Sequence, residues 1–168
     1  GTRGLKGAEF EAAAEHYADH IYAIAFNYFK NPYDADDIVQ EVLLKLYQNE
    51  PGFESEEHLK HWLLRIAVNQ CKKISLSAWH RRNVSLETWQ ENIPEACGEE
   101  FAETAARRDE ILQGILKLPK KYRIVIHLYY YEDYDTKEIA GILNMKEATV
   151  RTRLARGRKL LKEVFSDV

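Results

Sequence analysis

Seven basic side chains crowd one short stretch near the end of this 168-residue sequence: Lys146, Arg151, Arg153, Arg156, Arg158, Lys159 and Lys162. Only Glu147 and Glu163 oppose them, so the local balance is +5 in a chain whose net charge is -3. Nucleic-acid phosphates reward such clustering whatever the average charge, because each contact releases condensed counterions. The residue types divide by task. Arginine can hold guanine bidentately and glutamate can accept from cytosine, which makes Lys146, Glu147, Thr149, Arg151, Thr152 and Arg153 candidates for base edges. Arg156, Arg158 and Lys159 suit phosphate oxygens. The plain alternative is a solvated, charge-rich terminal helix. The residues just before it argue otherwise. Asp135-Thr136-Lys137-Glu138 has capping-box spacing, with Asp in place of the usual Ser or Thr. Ile139, Ala140 and Leu143 follow as an apolar face, and Asn144 can adopt the left-handed conformation of a tight turn. Met145, apolar within that turn, plugs the gap between helices. A short helix, a turn and a basic helix in series form a helix–turn–helix, whose second helix enters the major groove N-terminus first.

Other constellations carry less chemistry. Asp34, Asp36 and Asp37 are better explained by helix N-terminal capping than by metal binding. His16 with His20, and His58 with His61, have spacings that can hold zinc, but no HExxH occurs and neither pair has a completing ligand set. Cys71 and Cys97 are too few for a disulfide framework or a zinc site. No glycine-rich phosphate loop, nucleophile elbow or CxxC is present. The sequence therefore predicts no catalytic residue, no metal and no cofactor. Trp62 lies on an apolar helical stripe and reads as core. Trp79, beside His80-Arg81-Arg82, is open to stacking on unpaired bases.

The elements that must position these residues read as helices throughout. Phe10, Ala14, Tyr17, Ile21, Ile24 and Tyr28 recur at helical steps over residues 8–30. Asn31-Pro32 punctuates that helix, and Asp34 is the expected N-cap of a second over 34–48. Pro51-Gly52 marks a loop containing Phe53, and a third helix is predicted from His58 to Trp79. Its basic end, with Lys72, Lys73, Arg81 and Arg82, suits both the helix dipole and phosphate. Residues 85–103 hold six glutamates and no Lys or Arg, with Pro94 and Gly98 interrupting, and read as a flexible acidic linker. Beyond it, Ile111, Leu112, Ile115 and Leu116 predict a short helix. Pro119 opens another running to Tyr131. The final helix, about 147–165, spans roughly 28 Å at ~1.5 Å per residue. Its stripe is Val150, Leu154, Gly157, Leu161 and Phe165, with Gly157 marking a close helix approach. The fold class is thus all-α: two small helical domains, 8–84 and 104–168, joined by the linker 85–103. Hydrophobic content of 45% and charged content of 30% are ordinary for a globular chain. With no apolar run of ~18 residues and no signal-peptide pattern, a cytoplasmic location without membrane insertion is expected.

Four segments carry a family resemblance: Asp34-Ala35-Asp36-Asp37-Ile38-Val39-Gln40-Glu41-Val42, Trp62-Leu63-Leu64-Arg65-Ile66-Ala67-Val68-Asn69, Leu118-Pro119, and Thr149-Val150-Arg151-Thr152-Arg153-Leu154-Ala155-Arg156-Gly157-Arg158. In this order, across residues 9–165, the chain resembles an extracytoplasmic-function sigma factor of bacterial RNA polymerase. The resemblance implies that residues 34–48 dock on the clamp helices of the core polymerase, with Asp37, Gln40 and Glu41 on or near that surface. It implies that the loop 50–57 and the following helix capture the melted −10 element, with Phe53, Asn69, Lys72, Lys73, Trp79, Arg81 and Arg82 as candidates. It assigns the duplex −35 element to the helix–turn–helix and the polymerase's RNA-exit side to the linker. Many relatives are held inactive by an anti-sigma factor. Lys73 and Leu76 depart from the Asp and Arg common after the Asn motif. Lys146 and Ala148 depart from the small or turn-forming residues common at the recognition-helix start.

Two other functions compete. A stand-alone helix–turn–helix regulator needs only the last domain, and residues 8–80 would then sense or dimerise. A protein-interaction adaptor needs no basic cluster at all. Salt separates DNA binding from the adaptor, since log affinity falls against log salt by ~0.9 per phosphate neutralised. Two modules on one tether, by contrast, read two sites with a gain in effective concentration.

Overall fold

The computed structural model describes residues 4–49, 51–76 and 110–166. The candidates Trp79, Arg81 and Arg82, together with the acidic segment 85–103, lie outside the described residues. Among the described residues every regular element is a helix. The chain divides into two compact units, Gly1–Asn92 and Ile93–Val168.

In the first unit, α1 (Ala8–Phe29) ends on Lys30, whose left-handed backbone returns its N–H to Phe26 O at 2.7 Å. The next helix, α2 (Pro32–Gln48), begins earlier than the aspartates suggest. Asn31, not Asp34, is its N-cap: Asn31 Oδ1 accepts from Tyr33 N at 2.8 Å and Asp34 N at 3.1 Å. The physical reason is Pro32, whose fixed φ and missing N–H fit the first helical position. At the other end of α2, Lys6 Nζ donates to Tyr47 O at 2.7 Å and lies 4.4 Å over the Tyr47 ring, while Phe10 meets that ring edge-on at 5.2 Å. Helix α3 (Glu56–Ser75) starts two residues before the expected His58, because Ser55 caps it by accepting from His58 N at 3.0 Å. Tyr17 on α1 donates its hydroxyl to Glu56 Oε2 at 2.7 Å and so ties the two helices at that end. Ile21, Ile24, Ile38, Val42, Leu46, Leu63, Leu64 and Val68 are essentially without solvent contact and form the core between the three helices. Each such side chain contributes ~1.5–3 kcal/mol on burial, before chain entropy is offset.

The second unit opens with a helical segment, α4 (110–116), followed by α5 (Lys120–Ile126). Pro119 stands just outside α5 in an extended conformation. Buried Arg123 donates to Leu118 O at 3.0 Å and fixes the entry of the chain. The sequence predicts a single regular helix to Tyr131; instead α5 widens into a π turn at His127–Tyr131, closed by Glu132 N donating to His127 O at 3.3 Å. Within it the His127 and Tyr131 rings stack at 4.8 Å. Asp133, at φ 59, reverses the chain.

The capping box then starts α6 (Thr136–Leu143): Glu138 N donates to Asp135 Oδ1 at 2.8 Å, and Asp135 N to Glu138 Oε1 at 3.3 Å. Asn144 ends it at φ 54, as its type allows. Half-buried Met145 sits in the turn and returns its N–H to Ala140 O at 3.0 Å. Helix α7 (Glu147–Ser166) packs through Val150, Leu154 and Gly157. At Gly157 a Cβ would stand only 3.0 Å from Ile126 Cγ1, which confirms the close approach. The stripe fades toward its end: Leu161 is half-buried and Phe165 is 40% exposed, its ring resting beside Gly114.

Candidate nucleic-acid and partner interfaces

The buried stripe of α7 fixes what the rest of the helix can reach. With Val150, Leu154 and Gly157 turned inward, helical periodicity places Ala148, Thr152, Arg156 and Lys159 on the opposite face, with Thr149 and Arg153 beside them. Ala148, Thr152, Arg156 and Lys159 are exposed; Thr149 and Arg153 are half-buried. Thr152 Oγ1 donates back to Ala148 O at 3.0 Å, and Arg153 Nη1 lies 3.9 Å from Met145 Sδ. Across from this face, Lys121 and Tyr122 of α5 complete a shallow groove of about 370 Å³. Neither stands out in the sequence. They precede α7 by more than twenty residues in sequence, and the packing of α5 on α7, closest at Gly157, brings them to it.

The remaining C-terminal candidates are held elsewhere. Glu147 Oε1 accepts from Thr136 Oγ1 and from Arg151 Nη1, each at 3.0 Å. That carboxylate locks the start of α7 to the start of α6, and Arg151 points along the same flank. Arg158 Nε donates to the Tyr130 hydroxyl at 2.6 Å, and its guanidinium lies 5.0 Å over the Tyr129 ring. Lys146, in the turn, is exposed. The eight candidates therefore split: Thr149, Thr152, Arg153 and Arg156 share the groove, whereas Glu147, Arg151 and Arg158 line the other flank.

In the first unit Asp37, Gln40 and Glu41 are all exposed and fall on one face of α2. Tyr33 and Leu44 share that face by helical spacing and are 70% and 51% exposed. Large apolar groups thus stand uncovered beside carboxylates on one face of α2.

The third cluster begins in the loop before α3. Phe53 is half-buried, edge-on to Trp62 at 5.4 Å and to His58 at 5.3 Å. Two bonds stiffen this loop: Asn49 Nδ2 donates to Pro51 O at 2.6 Å, and Glu54 N to His58 Nδ1 at 3.1 Å. The apolar stripe of α3 predicts Trp62 in the core. It is half-buried and packs on the loop instead, on the edge of the helix beside the enclosed Leu63 and Leu64 that follow it. Ile66, Asn69 and Lys73 follow Trp62 at helical spacing, so an aromatic, amide and cationic stripe runs along α3. Asn69 and Lys73 are exposed and Lys72 is half-buried beside them. The His16 and His20 rings lie 6.2 Å apart, and among the described residues no three His, Cys, Asp or Glu side chains converge to hold a metal. None of the described helices is long and apolar enough to cross a membrane.

The described residues thus form two helical units, one ending in a basic helix that follows a short turn and the other with an exposed apolar and acidic face on α2. Comparison with known proteins makes this specific. Residues 13–85 match the family profile Sigma-70 region 2, and residues 108–161 match Sigma-70, region 4. The ECF RNA polymerase sigma factor SigW of Bacillus subtilis is 34% identical over 161 residues, covering 90% of this chain and 86% of that one. The RNA polymerase sigma factor SigV of the same organism is 30% identical over 142 residues, covering 84% and 82%. Among solved structures, the sigma factor RpoE of Bartonella quintana, in complex with the anti-sigma factor NepR, shares the fold at TM-score 0.65 and 20% identity, over 95% of this chain and 98% of that one. The chain belongs to the extracytoplasmic-function sigma factors, the RNA polymerase subunits that direct promoter-specific transcription initiation.

Proposed function

We propose a division of labour within this sigma factor. The module 8–84 holds core RNA polymerase and the −10 element, the module 104–168 reads the −35 element, and 85–103 links them. The observation that carries the reading is the α2 face, where Tyr33, Asp37, Gln40, Glu41 and Leu44 are exposed together. In a stand-alone regulator this face would serve dimerisation; the match of residues 13–85 to Sigma-70 region 2 favours core polymerase as its occupant instead. Asp37, Gln40 and Glu41 supply acceptors and polar contacts to the polymerase, and Tyr33 and Leu44 supply buried area on docking.

On the DNA side, Thr149, Thr152 and Arg153 approach base edges and Arg156 a phosphate, while Lys146, Glu147, Arg151 and Arg158 act at the flanks of the duplex. Phe53, Asn69, Lys72 and Lys73, with Trp79, Arg81 and Arg82, engage the −10 strand by stacking and charge. The chain contributes no catalytic group; nucleotide chemistry belongs to the polymerase, in the cytoplasm where both partners reside. An anti-sigma factor, as in the complex of the structural relative, would hold this chain inactive by covering one of these faces.

The test is binding of the purified full chain to bacterial core polymerase, followed by promoter-dependent initiation. Replacing Asp37 and Gln40 with Ala, or Leu44 with Ala, should raise the Kd for core roughly tenfold while the circular dichroism melt stays put. Affinity equal to the parent chain would move the docking surface off α2. No core binding by the folded parent would return the reading to a stand-alone regulator.

A further inference from the structure

The groove beside α7 contains groups that belong to neither the recognition helix nor its turn. Lys121 and Tyr122 lie on α5, and they face Arg156 across that groove. The Tyr122 ring is buried, with its Cβ 3.4 Å from where a Gly157 Cβ would stand. Tyr122 nevertheless lines the groove together with Lys121 and Arg156, and the two cations lie near enough to its hydroxyl to draw down the phenol pKa. Lys121 Nζ lies 5.1 Å from the centre of the same ring. Two cations thus sit near one phenol group, on two helices whose closest approach is at Gly157.

We infer that Lys121, Tyr122 and Arg156 form a seat for one backbone phosphate of duplex DNA, in which Tyr122 is the positioning residue that aims Arg156. This rests on the assignment of α7 to duplex DNA and adds to it a contact from a different helix. The chemistry fits a phosphodiester better than a base edge. Arginine and lysine converge from two sides of the groove, and the phenol between them offers a third donor. Exposed arginine on a lone helix surface loses much of its binding energy to rotamer entropy on docking. An arginine that shares a groove with a buried tyrosine ring has less to lose. The hydroxyl carries the mark of its neighbours: burial raises its pKa, but Arg156 and Lys121 outweigh this and draw it below the ordinary phenol value. The oxygen is therefore more acidic than usual and a stronger donor to an incoming anion.

The experiment measures the full chain binding a short fluorescein-labelled duplex of mixed sequence, at low ionic strength where phosphate contacts are strongest. Tyr122→Phe keeps the ring and removes only the hydroxyl. It should raise the Kd roughly tenfold, the lower end for one hydrogen bond to a charged partner, and leave the salt slope unchanged, because no charge is lost. Lys121→Gln should weaken binding and flatten the log–log salt slope by ~0.9. On an Arg156→Ala background the Tyr122→Phe effect should shrink well below its value in the parent chain, because only the direct bond to phosphate remains to be lost, whereas a general loosening of the fold would leave it undiminished. Melts followed by circular dichroism confirm that Tyr122→Phe is folded at the assay temperature. If Arg156→Ala weakens binding but Tyr122→Phe does not, or if the two effects simply add, the phosphate seat is overturned while the DNA reading of α7 stands. If Arg156→Ala itself binds as the parent chain does, the seat and the role given to Arg156 on α7 fail together.

Discussion

Gly157→Ala sets two effects of known sign against each other in the middle of α7. Alanine is the better helix former, by ~1 kcal/mol in a helix interior. On an open surface the substitution would stabilise. Here the new Cβ would stand 3.0 Å from Ile126 Cγ1, 3.2 Å from Ile126 Cδ1 and 3.4 Å from Tyr122 Cβ. Ile126 has no solvent contact, and its β-branched side chain has few rotamers to retreat into. Overpacking of this kind costs ~1–3 kcal/mol. The overpacking cost wins, leaving a net loss of about 1 kcal/mol, or ~4–8 °C for a unit of this size.

The assay can isolate that unit. Trp62 packs within the first unit and no tryptophan lies beyond the division at Asn92, so tryptophan fluorescence does not probe the second unit while circular dichroism follows both. The dichroism transition should fall and the fluorescence transition should not. Ile126→Val, which removes the methyl at 3.2 Å, should cost ~0.5–1.5 kcal/mol alone and less, or nothing, on the Gly157→Ala background. A melting temperature that rises in Gly157→Ala would refute the account, because it would mean that helix propensity, not the approach of α5 to α7, governs this position.

Two further perturbations probe the ends of each unit. Tyr17 is held above the ordinary phenol pKa, first by burial, then by its hydrogen bond to Glu56, and by the charges of Glu56 and Glu57. A raised folded value favours the fold at pH below the unfolded phenol value of ~10 and is lost as pH climbs above it. Tyr17→Phe should cost about 1–2 kcal/mol near neutrality and make alkaline unfolding shallower; an unchanged alkaline limb in urea titrations would assign the loss to other groups. Glu147→Gln should release Arg151 and delete a charge that repels phosphate. Non-specific duplex affinity should then rise roughly threefold at low salt, and the salt slope should steepen by ~0.9 if Arg151 reaches a phosphate. A slope that does not change places Arg151 away from the backbone.

The local signals in the sequence translated directly where one residue type had one available role. Asp135, Glu138 and Asn144 could hardly act other than as box and left-handed cap, and they do. The Asp34, Asp36 and Asp37 cluster misled because three carboxylates look like capping groups. The proline three residues upstream of Ala35 had already fixed the helix start, leaving Asn31 as the cap. The π turn was invisible because periodicity over Ile124–Tyr131 cannot distinguish an α from a π ladder. Trp62 misled for a related reason: a stripe on a helical wheel does not say where its edge lies, and Phe53 in the loop makes that edge a contact of its own. The groove escaped the sequence for a different cause. Lys121 and Tyr122 meet Arg156 only through tertiary packing, and the lone local hint was a glycine on an apolar stripe.

The wide turn at His127–Tyr131 has a consequence for how this molecule could have changed length. A π turn accommodates one residue more than the α-helix around it, so it acts as a stored insertion. Deleting a single residue there would restore an unbroken helical ladder, yet every position downstream would exit rotated by ~100° about the axis. Tyr134 would leave the interior, and the capping box at Asp135 would launch α6 in a new direction. The bulge is thus a phase setter. It lets α5 keep Arg123 and Ile126 inward while delivering the chain to α6 at the angle the recognition helix requires, and it ties the aim of that helix to the residue count of a segment that never touches the groove.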